Sequence, residues 1–184
     1  MSKAVLISIR PEWCEKIING RKTIEVRKTR PKMDTPFKCY IYCTQSADML
    51  WILKERERSL HPDKIADVFK AAKCGGAYRG NGKIIGEFTC NRVTNLFSNS
   101  RFWLDEDDVL HTCLSAAEMR KYANGANGLY GWHISNLRIY DTPRELREFY
   151  AVPNEVEVAL KAKPKPITRP PQRWRYVEEE LWND

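Results

Sequence analysis

The run VLISIRPEWCEKIINGRKTIEVRK, residues 5–28, fits a strand, a helix and a second strand into 24 residues. Val5, Ile7 and Ile9 alternate with Leu6, Ser8 and Arg10, the period-two pattern of a strand with one apolar face. Pro11 suits a first helical turn, where its missing N–H costs nothing, and Gly20 is placed to end the helix. Trp13, Ile17 and Ile18 give that helix an apolar side. In the second strand, Ile24 and Val26 face one way and Thr23, Glu25 and Arg27 the other. If both strands share a sheet, Ser8, Arg10, Thr23, Glu25 and Arg27 converge on one polar surface holding a lone carboxylate among cations.

Length sets the frame for the rest. At 184 residues the chain is expected to form one domain, or one domain with an appended tail. Its 42% hydrophobic and 11% aromatic content supports a packed core and excludes global disorder. A net charge of +7 points toward a polyanionic partner. The six cysteines form no C-x-x-C pair and are expected to be reduced thiols. The start lacks the apolar run of a signal peptide and no stretch is long and apolar enough to span a bilayer, so the expected location is cytoplasmic.

Further along, Phe37–Cys43 predicts a third strand with Phe37, Cys39, Ile41 and Cys43 on one face and Tyr40 and Tyr42 on the other. Residues 47–73 read as a helical insertion of mixed charge, broken at His61–Pro62. Residues 83–93 predict a strand in which Gly86 marks a bulge. Ser115 and Glu118 form a capping-box pattern that opens a helix to about Ala123. Residues 129–140 predict the strongest late strand, and Thr142-Pro-Arg-Glu145 predicts a helix running to about Tyr150. Beyond that point the composition shifts. Four of the ten prolines lie between Pro164 and Pro171, so residues 151–184 are expected to be an extended, proline-rich basic strap that packs back through Trp174, Tyr176 and Trp182.

Three segments together resemble the ASCH domain of the PUA-like superfamily: SIRPEWCEKIINGRKTIEVRK, GKIIGEFTC and YGWHISNLRIYDTPRELREFY. The resemblance covers roughly residues 3–150. It implies an α+β fold, a mostly antiparallel β-barrel with peripheral helices, whose cleft is lined by the strand after the first helix. It also implies a link to RNA or to modified bases. The family includes small amidohydrolases acting on acetylated cytidine through a Lys and a Thr of the matching strand and a distant Glu. Lys22 falls at that Lys, but Glu25 stands where those enzymes carry the Thr, and Thr23 lies two positions earlier.

The candidate site follows from these residues. Arg21 to Lys32 holds six cations and one acid, and Lys161 to Arg175 holds six cations and no acid. Such clusters neutralise phosphates and release counterions. The leading expectation is a module that binds RNA, a nucleotide or a modified base, with Arg10, Arg21, Lys22, Arg27 and Lys28 on phosphate. Glu25 would accept hydrogen bonds from a base or sugar, while Tyr130 and Trp132 offer stacking faces. The alternative is a hydrolase of an acylated nucleoside or of RNA, centred on Lys22, Glu25 and Thr23. A third possibility is a protein-interaction adaptor using residues 47–73. His133 reads as a hydrogen-bonded structural histidine, and His111-Thr-Cys113 is too sparse for a metal site. No cofactor motif is present.

Overall fold

The first strand, β1 (Lys3–Ile9), is buried along nearly its whole length. Val5, Ile7 and Ile9 enter the main core, as their alternation predicts. Leu6 does not face a polar surface; with Ala4 it enters a second core on the opposite side of the sheet. β1 therefore runs through the interior, hydrogen-bonded on both sides. One neighbour is β3 (Phe37–Cys43), parallel to it, and the other is β9 (Trp174–Glu178), antiparallel.

The structure is a computed structural model that describes residues 2–60, 71–98, 101–102, 106–126 and 128–179. After β1 come α1 (Pro11–Ile18), β2 (Ile24–Arg27) and β3. The insertion follows, with β4 (Trp51–Leu53), α2 (Glu55–Leu60) and β5 (Ala77–Arg79). Then come β6 (Ile84–Ser98), β7 (Arg101–Phe102), α3 (Glu106–Thr112), α4 (Ala116–Ala123) and β8 (Gly128–Arg144). The described residues end with a 3-10 turn (Leu146–Glu148), α5 (Glu155–Ala159) and β9. The main sheet has seven strands in the order β2-β8-β6-β3-β1-β9, with β7 against β6, while β4 and β5 form a separate pair.

The class is α+β, as expected, and the main sheet is open and mostly antiparallel, with β1 and β3 its parallel pair. Its two ends are joined by side chains instead of a ladder. Arg27 of β2 donates Nη2 to the carbonyl of Ser8 on β1 at 2.7 Å. Trp174 of β9 donates Nε1 to Thr29 Oγ1 at 3.0 Å, and the Lys32 amide donates to the Tyr176 hydroxyl at 2.7 Å. These contacts curl the sheet around a core where Phe37 and Trp174 both meet Trp132 edge-on, with ring centroids 5.8 and 6.0 Å away.

Three sequence expectations are corrected. Residues 51–53, read as helix, form β4, because Trp51, Ile52 and Leu53 pair with Arg79, Tyr78 and Ala77. Residues 61–70, including the His61–Pro62 break, lie outside the described residues. Thr142 and Pro143 start no helix: β8 continues to Arg144, and Glu145 with Glu148 caps one 3-10 turn. Within the strap Trp174–Glu178 form a true strand, β9, and Glu155–Ala159 a short helix, while Trp182 lies outside the described residues. Ile167 and Val177 are buried in the second core with Phe149, and Trp174 and Tyr176 pack on the first. By contrast, Ser115 and Glu118 do form the reciprocal cap of α4.

Gly86 marks a register shift between β6 and β8. A Cβ there would lie 2.4 Å from the Arg138 carbonyl oxygen, a backbone atom that cannot swing aside. Gly86→Ala is expected to cost about 1–3 kcal/mol through this clash. A thermal melt that leaves the midpoint unchanged would contradict the close approach.

Candidate nucleic-acid interface

The site grows out of the turn that ends α1. The Asn19 amide donates to Glu15 O, the Gly20 amide to Ile17 O and the Lys22 amide to Lys16 O, with Gly20 at φ +70°. That turn points the Lys22 side chain inward, where it is only 2% exposed. Its Nζ donates to Thr112 O at 2.8 Å and Ile24 O at 2.9 Å, and lies 3.4 Å from Glu25 Oε2. Thr112 closes α3, so the ammonium meets the negative end of that helix. Next to it the Thr23 amide donates to His111 O, and the Cys113 thiol donates to Arg21 O. One short stretch of β2 and its lead-in thus satisfies the carbonyl end of α3.

Glu25 sits between two cations. Arg27 Nη2 donates to its Oε1 at 2.8 Å, while the same Nη2 reaches Ser8 O. Arg27 Nε is buried and finds no protein partner among the described residues. Ser8 in turn donates its hydroxyl to Pro171 O at 2.6 Å, and its amide to Arg173 O at 3.0 Å. The ion-pair row therefore ties β2, β1 and the approach to β9 into one floor. Burial holds the Lys22 ammonium below its usual pKa, although Glu25 pulls the other way.

Above this floor opens a cleft of about 690 Å³. Arg10, Lys22, Arg27, Lys28, Lys121 and Arg173 line it, against the carboxylates Glu12, Glu25 and Glu118. Two aromatic rings reach the wall. Trp13 of α1 lies under Lys16 Nζ, 4.3 Å from the ring centroid, and Tyr122 of α4 lies 5.4 Å from Lys28 Nζ. Burial pushes the Tyr122 phenol up from its usual pKa.

Of the residues named from sequence, Arg10, Lys22, Glu25, Arg27 and Lys28 meet in this cleft. Arg21 is exposed and Thr23 half-buried; neither lines it. Trp132 and Tyr130 stand opposite Glu25 and Arg27 on β8. Trp132 is fully buried, so it offers no stacking face; Tyr130 packs half-buried on the same core. The sequence pattern does not reveal Tyr122, Lys121 or the cleft role of Trp13, whose spacing marks it only as part of the apolar side of α1. The cap at Ser115 was the available signal, since it sets the phase of α4.

His133 lies outside the cleft. Its ring nitrogens meet Thr94 Oγ1 at 3.0 Å and Arg92 Nη2 at 3.3 Å, and burial followed by the Arg92 charge lowers its pKa. Among the described residues no three His, Cys, Asp or Glu side chains gather to hold a metal ion. Among them, too, no helix is long and apolar enough to cross a membrane.

The family model described as the ASCH domain matches residues 7–103, more than half of the chain. The chain belongs to the ASCH domain family. Among solved structures, this ASCH domain is similar to an ASCH protein from Zymomonas mobilis. Identity is 16%, with 96% of this chain and 88% of that chain covered and a TM-score of 0.55. A serine-to-alanine variant of the same protein gives 15%, 96%, 89% and 0.53. At such identities the likeness speaks for the fold. The comparison with curated proteins returned no match.

Proposed function

We propose that the cleft of this ASCH domain binds single-stranded RNA or a nucleotide, and that it holds its ligand without turning it over. The ASCH family is PUA-like and is itself proposed to bind RNA. The observation that carries the proposal is the buried row Lys22–Glu25–Arg27 beneath a cleft rimmed by Arg10, Lys28, Lys121 and Arg173. Flexible surface cations supply phosphate contacts, and the fixed carboxylate supplies an acceptor for a base or sugar donor. Trp13 and Tyr122 supply ring faces on which a base can stack. The orphaned Arg27 Nε is a donor in want of an acceptor, and the Lys22 and Arg27 contacts hold Glu25 in one position.

Hydrolysis is less well supported. A general base needs a free lone pair within reach of the proton it takes. Lys22 places its donors on Thr112 O, Ile24 O and Glu25, and is almost wholly buried. Glu25 replaces the hydroxyl nucleophile at its position, and Thr23 stands off the cleft.

The test is fluorescence anisotropy with a short single-stranded RNA across a salt series. Each phosphate contact contributes roughly 0.7 to the slope of log K against log salt for single strands. Lys28→Glu with Lys121→Glu is expected to reduce the slope by about 1.4 and weaken binding at low salt. Binding that ignores salt and both reversals would overturn the phosphate role.

A further inference from the structure

We propose that residues 163–175 build a second phosphate-binding groove, continuous with the cleft, so that a bound RNA strand runs from one to the other. The proposal rests on the RNA-binding function argued above and extends it to a site outside the cleft. The groove has a volume of about 420 Å³ and lies between the loop 151–154 and the proline-rich segment. Lys163, Lys165, Arg169 and Arg175 line it, with Glu157 as its one carboxylate. That carboxylate is already engaged: Glu157 accepts from Lys165 Nζ at 2.5 Å and from the Asn154 amide at 3.0 Å. Lys163, Arg169 and Arg175 make no ion pair among the described residues, so three exposed cations face the groove uncompensated.

The segment that carries them is held to the fold. The Ala151 amide donates to Lys165 O, the Ile167 amide donates to Phe149 O, and Ile167 is buried in the second core. Prolines at 164, 166, 170 and 171 reduce the chain entropy that ligand binding would otherwise have to overcome. The lysines and arginines between them are thus presented along a fixed backbone, unlike those of a free basic tail.

Arg173 and Arg175 make the join. Arg173 lies in the bend just before β9 and Arg175 on β9 itself, two residues apart and so within about 7 Å at Cα. Arg173 lines the cleft and Arg175 the groove. The spacing suits successive phosphates of one extended strand. A mononucleotide fills the cleft alone, whereas a longer RNA engages both.

The experiment compares RNAs of about four and about twelve nucleotides on the full chain, with Lys163→Glu, Arg169→Glu and Arg175→Glu combined. All three side chains are exposed, and a second variant with Gln at the same positions guards against misfolding by charge reversal. For the long RNA the affinity is expected to fall about tenfold or more at low salt, and the salt slope by about 2. Binding of the short RNA is expected to be unchanged. Long-RNA binding that is unaffected, while Lys28→Glu with Lys121→Glu still weakens it, would overturn the groove and leave the cleft standing. Equal loss on both RNAs would also overturn it, since the groove would then not be length-selective. Failure of the unmodified protein to bind either RNA would overturn cleft and groove together.

Discussion

Replacing Lys22 by alanine is expected to destabilise the protein by about 3–5 kcal/mol, the usual consequence of removing one partner from a buried ion pair. For a chain of this size that lowers the melting temperature by on the order of 10 °C. The magnitude follows from what the ammonium does. Removing it strips a donor from Thr112 O at the end of α3 and from Ile24 O in β2, and leaves Glu25 with Arg27 alone. Lys22→Met retains much of the buried stem and isolates the charge. Because burial lowers the native pKa of Lys22 below the ordinary 10.5, the unfolded chain binds more protons in the window between the two values. Stability from this group therefore rises as pH climbs through that alkaline window. The difference in stability between wild type and Lys22→Met should move in favour of wild type there. A difference that stays flat or moves the other way would contradict the burial of a charged lysine.

Truncation before residue 163 is the second large effect, and the shortened chain is expected to lose cooperative folding. It removes the five paired residues of β9 and turns β1 into an edge strand. It also removes Ile167 and Val177 from the second core and Trp174 from beside Trp132. Each such side chain contributes about 1.5–3 kcal/mol by burial, and together they approach the 5–15 kcal/mol margin typical of a domain. Val177→Asp provides a milder version, placing a carboxylate in an apolar core opposite Ala4. A truncated chain that melts together with the full-length protein would show that β9 is not integral to the sheet.

The site residues that were legible in the sequence are those fixed by local pattern. Alternation located β1, β2 and β3, the Pro11-to-Gly20 punctuation bounded α1, and the cations beside Glu25 pointed to the cleft. What alternation could not supply was which strands have both faces covered. Leu6 and Trp132 sit on faces that look like surface or site until Phe149, Ile167 and Val177 cover the first and Phe37 and Trp174 pack on the second. The parallel pairing of β1 with β3, and the return of β9 to β1, are long-range events with no signature in nearby residues. The same holds for Lys22, whose partner Thr112 O is ninety positions away and carries no side-chain signal. Thr142 and Pro143 misled for a related reason. Their helix-start chemistry is real, but pairing with β6 extends β8 through them, with Arg144 opposite Ile84.

The central claim is that the Glu25 cleft binds and does not turn over its ligand, and Glu25→Gln tests it most directly. Wild type and variant are incubated with short single-stranded RNA and with acetylcytidine, while binding is followed by anisotropy and products by mass spectrometry. Glu25→Gln keeps the shape of the side chain but removes the charge that Lys22 and Arg27 hold in place. Wild type is expected to bind RNA and release no product from either compound, and the variant to bind more weakly. Product formed by wild type and abolished in Glu25→Gln, with binding left intact, would contradict the account and make Glu25 catalytic.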